Sequence, residues 1–144
     1  MEFKEAREYI DNLNKYGSKL GLDNIKALLA LLDNPQEKLN VIHVAGTNGK
    51  GSTIAFMGSI LKEAGYKVGK YTSPVVFEYL EKYQINDENI DEEAFAGLVS
   101  KVKIALEQLE KQGIQPTIFE VETAMAFEYF NAKKCDVVIL ETGM

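Results

Sequence analysis

Residues 41–53 read Val-Ile-His-Val-Ala-Gly-Thr-Asn-Gly-Lys-Gly-Ser-Thr. Glycines, a lysine and hydroxyls packed this densely are the materials of a phosphate cradle. The apolar run Val41–Ala45 predicts a short buried strand, and Gly46 to Gly51 predict the turn that leaves it. From there Ile54, Met57, Ile60, Leu61 and Ala64 recur at the three-to-four spacing of a helix with one apolar face. A strand therefore runs through a glycine loop into a helix N-terminus. Backbone N–H groups there lack intrahelical partners, and the helix dipole favours an anion. Gly46, Gly49 and Gly51 let main chain approach phosphate oxygens, and Lys50 supplies the positive charge. The candidate phosphate-binding set is Gly46, Thr47, Asn48, Gly49, Lys50, Gly51, Ser52 and Thr53, with Lys50 as the catalytic candidate.

The spacing departs from the common phosphate loop. That pattern sets four residues between its first glycine and Gly-Lys, and puts Ser or Thr directly after the lysine. Here only Thr47 and Asn48 intervene, Gly51 follows Lys50, and the hydroxyl arrives one place late at Ser52. A glycine-rich strand-to-helix turn can also serve packing alone. The coincidence of strand, glycines, lysine, hydroxyl and helix favours the phosphate reading.

The variant loop resembles that of the Mur-type ATP-dependent amide ligases. The longer string His43–Thr53, with Ile60-Leu61 and Gly65 behind it, is similar to the folylpolyglutamate synthase/dihydrofolate synthase family. Asn34-Pro35-Gln36 upstream, Tyr71-Thr72-Ser73-Pro74, Phe119-Glu120 with Thr123, and Glu141-Thr142-Gly143 match further family motifs in order. The resemblance covers nearly the whole chain. It implies an α/β fold: a three-layer, P-loop-type, mostly parallel sheet with helices on both faces, the N-terminal part of a Mur-ligase-like central domain. It implies ATP and Mg2+ as cofactors, with dihydropteroate or folate and L-glutamate as substrates, and a full-length enzyme that is monomeric. The implied reaction passes a phosphoryl group from ATP to a carboxylate, and glutamate then attacks the acyl phosphate.

Magnesium takes hard oxygen ligands, and three are available. Glu141 follows the strand Val137–Leu140, where nucleotide-binding folds place an acidic residue, although a strand-end carboxylate can equally be a solvated edge charge. Ser73 is a magnesium ligand by resemblance, and serine before proline is also a common turn former. Ser52, displaced by Gly51, faces either the metal or a phosphate. The resemblance places further metal ligands, a histidine and a modified lysine, beyond Met144. His43, the single histidine, reads as a packed strand residue. Glu120 and Thr123 either line the cleft or start a helix. After Pro74 the family often reads His-Leu and then Asn-Glu-Arg, where this chain has Val75-Val76 and Leu80-Glu81-Lys82. That departure leaves the choice between dihydropteroate and folate open. Two alternatives remain: a peptidoglycan-type Mur ligase, which usually has Thr after the loop lysine, and a nucleotide-binding module without catalysis.

Other elements must hold this loop in place. Phe3, Ala6, Ile10 and Leu13 predict a first helix, and Leu22 to Leu32 a second that stops before Pro35. Val68–Tyr71 and Tyr83-Gln84-Ile85 predict strands, the latter followed by a turn over Asn86-Asp87-Glu88-Asn89. Asp91 caps a long helix carrying Phe95, Leu98, Val102, Leu106 and Leu109, which Gly113 closes. Thr117-Ile118-Phe119 is a short strand candidate before a helix from about Val121 to Ala132, and Val137–Leu140 is a strand buried on both faces.

With 144 residues, 46% hydrophobic and 26% charged, the chain suits one globular domain. A net charge of −6 argues against nucleic-acid binding, and no apolar run approaches a membrane span. The single cysteine, Cys135, precludes an internal disulfide and suits a reducing cytoplasm, where it reads as a small buried hydrophobe. The sequence stops at Glu-Thr-Gly-Met just after an apolar strand. The expectation is one incomplete ATP-binding domain over 1–144, lacking the glutamate-binding domain and inactive by itself.

Overall fold

The computed structural model of the chain describes residues 1–13, 21–46, 50–72 and 77–142. They form two compact units, Met1–Glu37 with Asp91–Tyr129, and Lys38–Ile90 with Phe130–Met144.

The first unit is helical: α1 (Phe3–Asp11), α2 (Asp23–Leu31), α4 (Glu92–Lys111) and most of α5 (Ile118–Ala132). Apolar periodicity explains it. Ala6 and Ile10 of α1, Leu28 and Leu29 of α2, and Phe95, Leu98, Val102, Leu106 and Leu109 of α4 are all buried. Phe3 meets Phe95 edge-on, ring centroids 5.7 Å apart. The caps fall where the sequence placed them. The Asp91 carboxylate accepts from the Ala94 N–H at 2.7 Å, and Gly113 closes α4 at φ 75°, its N–H donating to Glu110 O and that of Ile114 to Leu109 O. Lys101 of α4 pairs with Glu128 of α5, a carboxylate that is itself buried. The strand expected at Thr117–Phe119 is instead the start of α5. Its β-branched and aromatic residues are overridden by a reciprocal cap: Glu120 N–H donates to Thr117 Oγ1 at 3.1 Å, and Thr117 N–H to Glu120 Oε1 at 2.9 Å.

The second unit holds a five-stranded sheet of β1 (Val41–Ala45), β2 (Val68–Tyr71), β3 (Tyr83–Ile85), β4 (Glu88–Asn89) and β5 (Val137–Thr142). The spatial order is β1-β5-β2-β3-β4. The first three run parallel, and β3 and β4 add antiparallel. One helix, α3 (Lys50–Glu63), connects β1 to β2. Side chains alternate across a strand. Ile54, Met57 and Leu61 of α3 pack with Val44, Val68, Val137 and Ile139 on one face. Phe130, from the last turn of α5, packs against Gly69 on the other. Helical residues thus cover both faces, the α/β class expected from sequence. Gly65 ends α3 at φ 92°, its N–H donating to Lys62 O and that of Tyr66 to Leu61 O, the double bond of a left-handed helix cap.

Two expectations are corrected here. Ile60 and Ala64 belong to the exposed side of α3, Ile60 at 67% exposure, because the helix instead turns buried Gly58 towards the sheet. β1 is not the buried strand expected: it pairs with β5 alone among the described residues, Val41, His43 and Ala45 are exposed, and Ile42 and Val44 are only half-buried. His43 therefore lies on an open face rather than among core side chains.

Candidate functional site

Three parallel strands end along one edge. Their register sets Val44 opposite Glu141, Ala45 opposite Thr142, and Tyr71 opposite Leu140. The chain passes from β1 through α3 to β2, yet β5 lies between those two strands. Segments leaving β1 and β2 are therefore held apart at their carboxyl ends, the place where open α/β sheets receive ligands.

Gly46 leaves β1 at φ 146°, a backbone conformation that a side chain rarely tolerates. The helix then begins at Lys50, with Gly51, Ser52 and Thr53 exposed in its first turn. No acidic residue occupies that turn, so no side chain of the helix itself offsets the positive end of its dipole. N–H groups in a helix's first turn have no intrahelical partners, and so are donors that an anion can satisfy. Thr47, Asn48, Gly49 and Ser73 lie outside the described residues, as does the side chain of Lys50.

Glu141 is half-buried near the end of β5. It shares the parity of Val137 and Ile139 and so belongs to the face that α3 covers. The structure thus brings Gly46, the start of α3 with Ser52, and Glu141 to one edge of the sheet. Among the described residues no group of three His, Cys, Asp or Glu side chains could hold a metal ion. One carboxylate with hydroxyls nearby still fits the donor chemistry of magnesium, which keeps several waters and uses one or two carboxylates beside substrate phosphates.

Glu120 and Thr123 are accounted for by their own helix. The Glu120 carboxylate caps α5, and Thr123 Oγ1 donates back to Phe119 O at 2.8 Å. Cys135 is buried just before β5, and desolvation pushes its thiol up to about 11, the behaviour of a packed residue rather than a nucleophile.

Sequence reasoning overlooked the support beneath β2. The Glu81 carboxylate accepts from the N–H groups of Phe77 and Glu78 at 3.2 Å, folding the segment that follows residue 76, and Thr72 N–H donates to Lys82 O at 3.3 Å. The signal was present as Glu78-x-x-Glu81, the spacing of a capping box. Tyr71 stacks on Tyr83 at 5.8 Å, and Tyr79 and Tyr83 share a hydroxyl contact of 3.1 Å. Lys70, in a strand otherwise apolar, reaches Asp87 at 2.6 Å. That hydrogen bond, outweighing some desolvation, holds the Asp87 carboxyl below the usual carboxylate range.

No family model matches the chain. Individual proteins do. It is 45% identical over 144 residues to the dihydrofolate synthase/folylpolyglutamate synthase of Bacillus subtilis (strain 168), covering 99% of this chain and 34% of that protein. A solved FPGS-AMPPCP-folate complex superposes with a TM-score of 0.94 at 36% identity, over all of this chain and 36% of the other. E. coli FolC in complex with DHPP and ADP gives a TM-score of 0.86 at 34% identity, over all of this chain and 34% of FolC. The chain spans about a third of the length of the curated relatives it matches. Over its whole length, in both sequence and fold, the chain is similar to part of the folylpolyglutamate synthases and dihydrofolate synthase/folylpolyglutamate synthases.

Proposed function

We propose that the chain is the ATP-binding part of a ligase that joins L-glutamate to dihydropteroate, to folates, or to both. One observation carries the reading: an acid-free helix N-terminus follows a left-handed Gly46, beside the strand end that bears Glu141. The relatives solved with AMPPCP and folate, and with DHPP and ADP, support the substrate classes.

In this reading the helix N-terminus and loop amides bind the β- and γ-phosphates, and Lys50 stabilises charge on the transferring group. A carboxylate oxygen of the pterin substrate attacks the γ-phosphorus and ADP leaves. The glutamate amino nitrogen then attacks the acyl carbon, loses its proton, and phosphate departs. Bound magnesium would neutralise phosphate charge, held by Glu141 with Ser73 or Ser52. Residues 1–144 serve as one incomplete ATP-binding domain, glutamate being held by a separate domain. By themselves they bind nucleotide weakly at best and do not turn over. We place the protein in the cytoplasm; consistent with this, no helix of the described residues is long and apolar enough to cross a membrane.

The test is glutamate-dependent ADP formation by the complete enzyme. Lys50→Ala should abolish it while leaving the folded circular-dichroism spectrum intact, and Glu141→Gln should raise the magnesium concentration needed for half-maximal rate. Retained turnover in the first variant removes the phosphate-cradle role. An unmoved magnesium dependence in the second removes Glu141 from the metal site.

A further inference from the structure

We propose that the Lys70–Asp87 ion pair, seated in the notch left by Gly58, is a positioning device that sets the phosphate-loop helix over the sheet; this rests on the nucleotide reading of residues 46–53. Lys70 lies in β2 on the face covered by α3, and it is only 9% exposed. Its side chain crosses α3 where that helix has no side chain. A Cβ added at Gly58 would come 2.5 Å from Lys70 Cε and 2.7 Å from Nζ. A leucine in place of Lys70 would fill an ordinary helix–sheet contact, so the lysine and the glycine are explained together and neither alone.

A nearly buried ammonium must be paired. Its partner, Asp87, sits at the tip of the β3–β4 hairpin, in a two-residue turn where Asn86 and Asp87 both take positive φ (48° and 68°). That turn is itself fastened. Asn86 N–H donates to Val68 O at 2.9 Å, and Val68 N–H donates to Asn86 Oδ1 at 2.9 Å. The second Asp87 oxygen lies 3.6 Å from Lys62 Nζ in the last turn of α3. The hairpin tip is thus locked to the start of β2 and grips α3 twice: at mid-helix through Lys70, and at its end through Lys62.

The consequence lies at the other end of the helix. At about 1.5 Å per residue, Gly58 is about 12 Å along the axis from Lys50, and a rigid helix transmits a shift or tilt at its middle to the N–H groups of its first turn. Phosphate held by those groups is sensitive to small displacements. Lys70, Asp87 and Gly58 touch no nucleotide in this scheme; they act through α3.

The experiment measures KM for ATP, kcat and the urea midpoint of the complete enzyme. Asp87→Asn should raise KM for ATP about fivefold with kcat changed less than about twofold, the signature of lost binding geometry rather than lost chemistry. Gly58→Ala should do the same by displacing the ammonium, and the double variant should be no worse than either single one, since both remove one contact. Gly58→Ala combined with Lys70→Leu should restore KM by filling the notch with apolar contact. A fall in urea midpoint with unmoved KM in Asp87→Asn and Gly58→Ala overturns the proposal, as does simple additivity of the two. Lys50→Ala, whose turnover should be lost, separates the readings through equilibrium binding of a non-hydrolysable ATP analogue: if it weakens binding while Asp87→Asn and Gly58→Ala leave binding and KM unmoved, the positioning role falls and the phosphate loop stands. If it leaves binding unchanged, both fall.

Discussion

Gly69→Ala adds one methyl group at the most crowded place on the sheet. Gly69 lies in β2, paired with Val138 of β5 on one side and Ile85 of β3 on the other. The new Cβ would sit 2.7 Å from Cδ1, 2.9 Å from Cγ and 3.0 Å from Cε1 of Phe130. Normal carbon contact begins at about 3.5 Å, so ring or strand must give by somewhat under 1 Å. Neither can move freely, since Phe130 is fully buried and β2 is hydrogen-bonded along both edges. Overpacking of this kind costs about 1–3 kcal/mol. Against it, alanine in a strand gains about 0.5–1 kcal/mol over glycine from backbone entropy. The expected net loss is centred on about 1 kcal/mol, read as a lower urea midpoint at unchanged slope. Phe130→Leu removes the opposing ring edge, so Gly69→Ala should cost at least about 1 kcal/mol less in that background. Gly97 in α4 is the control, because a Cβ there meets nothing within 4 Å; Gly97→Ala should stabilise by about 0.5–1 kcal/mol. A neutral or stabilising Gly69→Ala, or equal cost in both backgrounds, would refute the close-approach argument.

Asp91→Ala removes the side-chain acceptor at the start of α4 and should lower stability by about 1 kcal/mol in urea titration, with Asp91→Ser recovering most of it. Cys135, with its thiol pushed up to about 11, should resist a thiol-specific disulfide reagent at pH 8 in the native protein and react at once in denaturant. The same shift has a thermodynamic sign. The native state keeps a proton that an unfolded thiol releases from about pH 8.5, so stability should fall as pH rises from there towards about 11, and Cys135→Ala should flatten that fall.

Much of this fold is legible in the sequence because several local signals agree. Val41–Ala45, Val68–Tyr71 and the β5 run are strands, and Gly65, Asp91 and Gly113 cap the helices they flank. The failures have two physical causes: a local side-chain bond that outcompetes residue propensity, and a partner distant in sequence. Thr117-Ile118-Phe119 has strand composition, but the bonds between Thr117 and Glu120 commit it to a helix start. Ile60 fits the apolar stripe of α3, yet the helix rotates to seat Gly58 over Lys70, and nothing near position 58 announces a lysine twelve residues on. Strand order was equally hidden, since apolar runs do not state which neighbours they choose. At the sheet edge, the placement of Gly46, the start of α3 and Glu141 follows from the strand and helix pattern of the sequence, whereas the Glu81 cap and the Asp87 grip depend on how residues 77–89 fold.

β5, which lies between β1 and β2, is the last in chain order of the five described strands. β5 pairs with both β1 and β2, which do not pair with each other, and Asn40 reaches Asp136 O across 96 residues. While a nascent chain is still short of residue 137, β1 has no strand to join among those described, and α3 lacks Ile139 to pack on. The β2–β3–β4 meander is local and can form early. Closing a loop of nearly a hundred residues onto a parallel strand is slow and entropically costly. On the proposed reading, the strand ends that flank the nucleotide site, those of β1 and β5, come into register only after residue 137 has been made, so nascent chains shorter than that should bind no nucleotide.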